Sequence, residues 1–266
     1  MNDEKDLVAQ AQTGNRDAME RLLGDASTLV YKLAIRMLGD PADAQDASQE
    51  ILMRIASGLG TYRGDSAFRT WVYRVASNHL LTARKRRAEE ATTSFDDVAS
   101  FLDASAAANL PAVEEQALVK EAKLTCNARM LLCLDRDHRL AFILGEILDL
   151  SSEEGAEILE IGSDAFRKRL SRAREKMEEF TQARCGIVNP KNPCRCGNVA
   201  ALAVKAGKLT QLRWSTHEAS APRLSEIDEL TNAVALFRSH PDYAAPADLT
   251  RGVRELLNAT THAQTP

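Results

Sequence analysis

Trp71, Arg74 and Asn78 combine an aromatic ring, a guanidinium and an amide at spacings of three and four residues. On a helix, these spacings put all three side chains on one face. Aromatic rings stack on unpaired bases of any type, and an amide can hydrogen-bond a base edge. Four consecutive cations, Arg84 to Arg87, follow and would anchor a phosphate backbone. The pattern indicates an interface for single-stranded nucleic acid; the alternative is a core Trp71 beside a solvated basic face.

A second basic segment has the pattern of a helix-turn-helix. Ser151 and Glu154 form a capping box that begins one short helix, and "IGS" separates it from a second helix that begins at Ser163. Five apolar residues can close a small core between the two helices: Ile158, Leu159, Ile161, Phe166 and Leu170. The second helix carries a net charge of +4 between Asp164 and Lys176. Such a helix is suited to a DNA groove.

Three cysteines lie in the loop "CGIVNPKNPCRCG", at Cys185, Cys194 and Cys196. Neighbouring cations should lower the pKa values of these thiols, which favours metal binding or oxidation. A structural zinc site normally has four ligands, so His217 or a cysteine from elsewhere would have to complete one. Three interpretations stay open: a metal site, a thiol redox switch, or no ligand role. Cys126 and Cys133 are expected to be small buried residues.

The chain as a whole is that of an ordinary globular protein. It has 266 residues, 44% of them hydrophobic and 27% charged, with a formal net charge of −4. We expect a cytoplasmic protein, because the start is acidic and polar and no apolar run approaches the roughly 20 residues that span a bilayer. Five unevenly spaced cysteines do not form a disulfide framework. With an acidic balance, nucleic-acid binding must depend on local patches.

The apolar periodicity is helical nearly everywhere, and no alternating strand pattern is convincing. Asp40 is a predicted N-cap with Pro41 at the first helical position. The helix that follows has two faces, one apolar and one acidic: Ala44, Ala47, Ile51 and Ile55, and Asp43, Asp46, Glu50 and Met53. Between Ala88 and Glu121 there are eight acids and one base, which predicts a flexible acidic linker; a plain solvated tether is the alternative.

In this order, the segments resemble the extracytoplasmic-function group of sigma-70 family RNA polymerase sigma factors. The resemblance rests on "DPADAQDASQEILMRI", "YRGDSAFRTWVYRVASNHLLTARKRR", "LDRDHRLAFILGEILDLSSEEGAEILEIGS" and "DAFRKRLSRAREKM". It implies an all-α fold with two small helical domains, a region 2 bundle and a region 4 helix-turn-helix, plus a helical extension. The predicted divisions are region 2 at 1–90, an acidic linker at 91–120, region 4 at 121–182, a basic cysteine loop at 183–213 and a helical extension at 214–266.

The resemblance also assigns roles by position. For the single-stranded minus-10 element it implies the RGDS loop, with Arg63 and Ser66, and then Trp71, Arg74, Asn78 and Arg84. For the minus-35 duplex it implies Arg167, Lys168, Ser171 and Arg172. For core polymerase it implies Asp43, Asp46, Gln49 and Glu50. The implied partners are core RNA polymerase and promoter DNA, with an anti-sigma factor left open and no membrane insertion.

The chain departs from the family pattern in three places. Phe166 stands where a smaller aliphatic residue is usual, and Ala165 where threonine or glycine is common, which affects the expected minus-35 preference. About 85 residues follow the point where a minimal member would end. We expect this extension to pack on the sigma domains and restrain them, or to bind a partner. No cofactor is required by the family, and zinc in the cysteine loop is the one candidate.

Two function classes compete on this sequence. A dissociable sigma factor should use promoters only with core polymerase, and is the favoured interpretation. A stand-alone helix-turn-helix regulator with a metal- or redox-sensing tail should bind duplex DNA by itself. A hydrolase is not expected, because the five histidines are scattered and no Gly-rich phosphate loop, HExxH or nucleophile elbow is present.

Overall fold

The computed structural model describes residues 2–82, 93–108, 111, 116–208, 233–238, 243–246, 249, 251–252 and 255. These residues form helices and their connections, which confirms the all-α prediction, and none of them forms a β-strand. No helix among them is long and apolar enough to cross a membrane. Two hydrophobic clusters hold the structure together, one centred on the first four helices and the other on the helices after residue 94.

The first half is a bundle in which α2 is the central helix. Its helices are α1 (Asn2–Gln12), α2 (Arg16–Leu38), α3 (Pro41–Gly58) and α4 (Phe68–Thr82), with a short 3₁₀ turn at Leu59–Thr61. Because α2 packs against α1, α3 and α4, its own apolar residues are the most completely covered, and Val30, Leu33 and Ala34 have no exposed surface. The bundle therefore fixes the directions in which the outer faces of α3 and α4 point.

Helix α3 begins as the sequence predicts. The Asp40 carboxylate accepts hydrogen bonds from the amides of Ala42 and Asp43, and Pro41 occupies the first turn. The predicted apolar face is buried: Ala44, Ala47, Ile51 and Ile55 are all at most 2% exposed. With that face in the core, the acidic face of α3 must point away from it. Both predictions for this helix are confirmed.

The second half contains the remaining helices. They are α5 (Phe95–Ala107), α6 (Gln116–Leu132), α7 (Arg136–Phe142), a π-helical turn (Ile143–Ile147), α8 (Ser152–Leu159), α9 (Ser163–Arg184), α10 (Cys196–Lys205) and α11 (Ala233–Arg238). Helix α9 packs against α7 and α8, and α10 packs against α6 and α5. Helix α11, which belongs to the extension, packs against α9 and the π-helical turn.

The acidic linker differs from the expected flexible tether. Residues 95–107 form helix α5, which begins with a capping box between Ser94 and Asp97. Val98 and Leu102, four residues apart, are buried in the second hydrophobic cluster. The three acids of α5, Asp96, Asp97 and Asp103, are exposed, and Asp103 pairs with Arg184 at 2.7 Å. Amphipathic packing, which composition alone does not reveal, accounts for the difference.

Helices α8 and α9 form the predicted helix-turn-helix. Ser151 and Glu154 make the capping box, and hydrogen bonds from the Ser151 backbone and hydroxyl lower the pKa of the Glu154 carboxyl. Phe166, the residue larger than the family pattern, is completely buried. Gly155 on α8 makes room for it, because a Cβ at Gly155 would lie 2.2 Å from the Phe166 ring. The large side chain and the glycine therefore compensate each other.

The two halves are packed directly against each other. Arg136 donates to the Leu81 carbonyl at the end of α4, and the buried Arg139 donates to the Met37 carbonyl near the end of α2. Gly39 caps α2 in the left-handed conformation, with φ of 66°. A Cβ there would lie 2.8 Å from the Leu132 side chain, so the residue also permits close approach of α6. The chain is thus closed, with the predicted region 2 and the predicted region 4 in contact.

Candidate nucleic-acid interface

An aromatic cluster supports the predicted single-strand face on α4. The Trp71 ring lies 5.4 Å from the Tyr62 ring and 5.8 Å from the Phe68 ring, measured between centroids. Trp71 is half-buried, so its ring both packs on the core and keeps an accessible part. Trp71 is therefore neither a fully buried core residue nor a fully exposed one, and its stacking on a base stays a prediction. A ring held on one side by other rings is well placed to stack on a base with the other.

The loop before α4 is held in place by side chains on both sides of it. The Tyr62 hydroxyl donates to the Ser66 carbonyl at 2.6 Å, and Gly64 adopts a left-handed conformation with φ of 79°. Gln12 on α1 donates to the carbonyls of Leu59 and Tyr62. Burial, followed by the charges of Glu4 and Asp65, raises the pKa of Tyr62, which keeps its hydroxyl a donor. These contacts position the predicted loop residues.

Sequence reasoning missed Tyr62 and Gln12 as positioning residues. Tyr62 directly precedes the loop, and an aromatic next to a glycine-containing turn is a readable signal for a residue that anchors it. Gln12 has no such signal, because its partners are backbone carbonyls about 50 residues away.

The central cation of the α4 face is covered by region 4. The Arg74 guanidinium lies 3.2 Å from the Glu157 carboxylate and donates to the Glu157 carbonyl at 3.3 Å, and Glu160 lies 4.0 Å away. Asn78, one turn along, is exposed. Arg84 lies outside the described residues. In the closed chain, the carboxylates of α8 occupy the position that an anionic ligand would take at Arg74.

The acidic face of α3 is also partly covered. Asp46 is exposed, and Asp43, Gln49 and Glu50 are half-buried. Glu50 lies 3.5 Å from the buried His79 of α4. Gly252 of the extension packs so closely on α3 that a Cβ on it would lie 3.3 Å from the Gln49 amide nitrogen. The predicted polymerase-contacting residues therefore share one helix, and the extension reaches one of them.

The predicted duplex-contacting residues lie together on α9. Arg167, Lys168, Ser171 and Arg172 are all exposed. Arg167 pairs with Asp164 and, at 3.8 Å, with Glu153. Ser171 also borders a groove of about 600 Å³ between α9 and α11, whose other wall includes Val234 and Arg238. The extension thus runs beside the basic face without burying it.

Helix α11 is held against region 4 by the Glu146 carboxylate, which Arg238 of α11 and Arg174 of α9 share. Arg238 donates to the Glu146 carbonyl at 2.6 Å and to the Asp149 carboxylate at 2.6 Å, and its guanidinium lies 3.9 Å from the Glu146 carboxylate. Arg174 on α9 binds that same Glu146 carboxylate. The Phe237 ring meets the Phe142 ring edge-on at 5.3 Å. The extension is therefore held by both charge and apolar contact.

Two more described residues of the extension reach the first half of the chain. Tyr243 is buried over the Arg36 guanidinium at 4.9 Å, and Leu249 is completely buried in the first hydrophobic cluster. Burial raises the pKa of Tyr243 to about 12. Most of the helical extension predicted at 214–266 lies outside the described residues, as does His217.

The cysteines correct one sequence prediction. Burial raises the pKa of Cys194 to about 11 and that of Cys196 to about 12, instead of the cations lowering them. Arg195 and Lys123 do lower these values, but burial is the larger effect. Within the described part of the chain, no three His, Cys, Asp or Glu side chains are arranged so that they could hold a metal ion as they stand.

Comparison with known proteins identifies the family to which the two halves of the chain belong. Sigma-70 region 2 matches residues 23–90, and Sigma-70, region 4 matches residues 126–177. The chain is 32% identical over 183 residues to the RNA polymerase sigma-H factor of Pseudomonas aeruginosa, a match that covers 67% of this chain and 94% of that protein. It is 31% identical over 179 residues to the ECF RNA polymerase sigma-E factor of Escherichia coli, covering 66% and 93% respectively.

Among solved structures, CnrH in complex with the cytosolic domain of CnrY is similar with a TM-score of 0.47 and 25% identity, covering 65% of this chain and 93% of CnrH. About a third of this chain lies outside the matches to the two sigma factors. Those two relatives are nevertheless covered almost completely. The chain therefore belongs to the extracytoplasmic-function group of sigma-70 family RNA polymerase sigma factors, and it binds core RNA polymerase and promoter DNA to direct transcription initiation.

Proposed function

We propose that the free chain is a self-restrained sigma factor, whose own acids and extension cover the surfaces that promoter DNA and polymerase must reach. It carries out no catalytic step of its own, and it works in the cytoplasm, where the polymerase and promoters are. In this proposal the α4 face and the loop before it bind the opened minus-10 strand. The exposed cations of α9 bind the minus-35 duplex, and the acidic face of α3 binds core polymerase.

The observation that carries the proposal is the contact between Arg74 and Glu157. A predicted minus-10 residue is engaged by a carboxylate of the helix-turn-helix, 83 residues along the chain. Binding of a DNA strand would place phosphates and bases where Glu157 and Glu160 now lie. Since like charges repel, DNA and α8 cannot both occupy this position, and region 4 must move away before the strand binds. In this proposal, binding of core polymerase to the acidic face of α3 is coupled to that separation.

The change Glu157→Ala is expected to raise the affinity of the full chain for single-stranded DNA. An exposed ion pair contributes about 0.2–1 kcal/mol, so the expected gain is about 1.5- to 5-fold. Fluorescence anisotropy with a labelled pool of random single-stranded DNA measures it. Asp25→Ala is the control, because it removes the same charge from an exposed position on α2 and leaves the contacts of Arg74 and of the α9 cations in place. An equal gain in both variants would indicate net charge alone, and no gain in Glu157→Ala would contradict a covered α4 face.

The extension is the second restraint in this proposal. Its described residues touch the π-helical turn through Arg238, the first cluster through Leu249 and the α3 helix beside Gln49. One segment therefore spans region 4 and region 2. A ligand that binds or displaces the extension would change how readily the two regions separate, which is a route for regulation.

The change Arg238→Ala is expected to strengthen binding of core polymerase to the full chain. A hydrogen bond to a charged group contributes about 1.5 kcal/mol or more, so release of α11 should raise the affinity by up to about tenfold. Titration of fluorescently labelled chain with core polymerase measures the effect. Lys205→Ala, an exposed cation at the end of α10, serves as the control and should leave the affinity unchanged. Weaker binding in Arg238→Ala would show that the extension assists polymerase binding instead of restraining it.

A further inference from the structure

Four of the five cysteines meet around one small cavity. The cavity has a volume of about 30 Å³ and lies between α6, the end of α9, the loop after it and the start of α10. The sulfur-bearing residues that line it are Cys126, Cys185, Cys194 and Cys196, here called the thiol cluster. The rest of the lining is apolar apart from Lys123 and Asn127. The fifth cysteine, Cys133, does not line the cavity, and its thiol donates to the Arg129 carbonyl instead.

The convergence is a product of the fold. Cys126 lies 59 residues before Cys185 in the sequence and comes from a different helix. Burial raises the pKa of Cys126 well above its usual value, and the charges of Cys196, Cys185, Cys194 and Cys133 raise it further. Three of the thiols come from one loop, and the fourth completes the set of ligands that a tetrahedral site requires.

We propose that the thiol cluster binds one zinc ion, with all four sulfurs as ligands. Thiolates are the ligands that zinc prefers in structural sites, and four of them close the coordination sphere. A cavity of about 30 Å³ has room for about one water-sized occupant, which suits a single ion and is too small for a multinuclear cluster.

The surroundings suit the charge of such a centre. One zinc ion with four thiolates carries a net charge of −2, which neighbouring cations and amide donors must balance. The Gly186 backbone acts to lower the pKa of the Cys194 thiol, against the larger effect of burial. Lys123 lines the cavity and Arg195 donates to the Cys194 carbonyl at 2.8 Å. Cys196 is the first residue of the ten-residue helix α10, where the helix dipole favours a thiolate.

The loop that carries three of the ligands is built without help from the sulfurs. The Asn192 amide donates to the carbonyls of Gln182 and Cys185, and Asn189 donates to the Gln182 carbonyl as well. Gly186 lets the two arms of the loop approach, because a Cβ there would lie 2.0 Å from the Cys194 carbonyl oxygen. The asparagines and the glycine of this loop thus keep the cysteines together before any ion binds, which reduces the ordering that binding requires.

Binding still requires two changes at the thiol cluster. The thiols must lose their protons, which burial now holds on Cys194 and Cys196 by raising their pKa values. The sulfurs must also move inward to the roughly 2.3 Å zinc–sulfur distance, since no three of the described ligand groups yet stand as a metal site. Because each thiolate formed releases one proton, zinc affinity is expected to rise with pH.

A zinc ion here would join region 4 to the extension. Its ligands come from α6, from the end of α9 and from the loop and first turn of α10. The ion would therefore fix the segment from which the rest of the extension continues. Metal binding and the hold of the extension on the sigma domains would be coupled, whether or not the restraint proposed above limits promoter binding.

The test is zinc and cobalt binding by the full chain kept reduced. Elemental analysis should find about one zinc ion per chain, and Co²⁺ added to the metal-free chain should give the visible bands of a tetrahedral, thiolate-rich site. Cys126→Ser should lose both, whereas Cys133→Ser, the matched control outside the cavity, should keep both. No metal in the reduced wild-type chain would overturn the proposal. Retention of zinc and of the cobalt bands in Cys126→Ser would overturn the assignment of Cys126.

A second measurement keeps the proposal falsifiable if Cys126→Ser does not fold. Thiol labelling of the native wild-type chain with a maleimide, with and without added ZnCl₂, counts the protected cysteines by mass spectrometry. Zinc should protect Cys126 together with the three loop cysteines and should leave the labelling of Cys133 unchanged. Protection of the loop cysteines alone, or equal labelling with and without zinc, would contradict a four-sulfur site.

Discussion

Replacing Arg139 with alanine is expected to lower the free energy of unfolding by roughly 3–5 kcal/mol. The side chain is 5% exposed and donates four hydrogen bonds to backbone carbonyls. One of these carbonyls belongs to Met37 at the end of α2, and the others belong to Leu131, Leu132 and Leu134 at the end of α6. The last carbonyls of a helix have no partner within it, so a buried cation there satisfies both helices at once.

Urea unfolding of the full chain followed by circular dichroism measures this loss. Arg129→Ala is the control, because Arg129 is exposed and its described partner is only the Thr93 hydroxyl at 3.2 Å; it should change stability by about 0.5 kcal/mol or less. Arg139→Lys should fall between the two, since it keeps the charge but loses the planar fork that reaches several carbonyls. Equal losses in Arg139→Ala and Arg129→Ala would contradict the structural role of the buried contact.

The same variant tests how the two halves depend on each other. The Met37 carbonyl belongs to the region 2 bundle, and the other three carbonyls belong to region 4. Arg139 therefore connects the two regions by hydrogen bonds. Without it, the two regions should unfold in separate transitions instead of together. In the proposal that region 4 must move away before DNA binds, opening would also have to break the contact between Arg139 and Met37.

Local features of this chain could be predicted from its sequence. The caps at Asp40 and Ser151 are confirmed because each depends on a few adjacent residues. Helix α5 could also have been found, since Ser94 and Asp97 have capping-box spacing and Val98 and Leu102 are one turn apart. The acidic, Ala- and Ser-rich composition of the segment is typical of a flexible linker, so composition and local pattern point to different structures at those four positions.

Contacts between distant residues could not be predicted in the same way. Arg74 meets Glu157 across 83 residues, and Arg139 meets Met37 across 102. Spacing in the sequence carries no information about either pair, because both depend on how the two halves pack. The pKa values of the thiols could not be predicted from the sequence either. Cations adjacent in the sequence suggest lowered values, but for Cys194 and Cys196 the burial created by the fold has the larger effect and raises them.

Asn78→Ala is expected to reduce promoter selectivity at one minus-10 position without reducing stability or polymerase binding. Asn78 is exposed on the same α4 face as Arg74, so its side chain is available for a base edge. An amide that makes a good pair with a base edge contributes about 1–3 kcal/mol of discrimination, or about 5- to 150-fold between bases. Its loss should flatten the preference at that position and leave the others as they are.

The measurement is transcription with core polymerase from a promoter library randomised over the minus-10 element. Sequencing of the transcripts gives the base preference at each position. Arg172→Ala is the reciprocal control: it lies on α9, so it should weaken dependence on the minus-35 element and keep the minus-10 preferences. If Asn78→Ala lowered transcription equally from every promoter in the library, Asn78 would contact the strand backbone and not a base. Since Asn78 is exposed on the α4 face, a loss confined to one minus-10 position would identify this face as a base-reading surface in the polymerase-bound state.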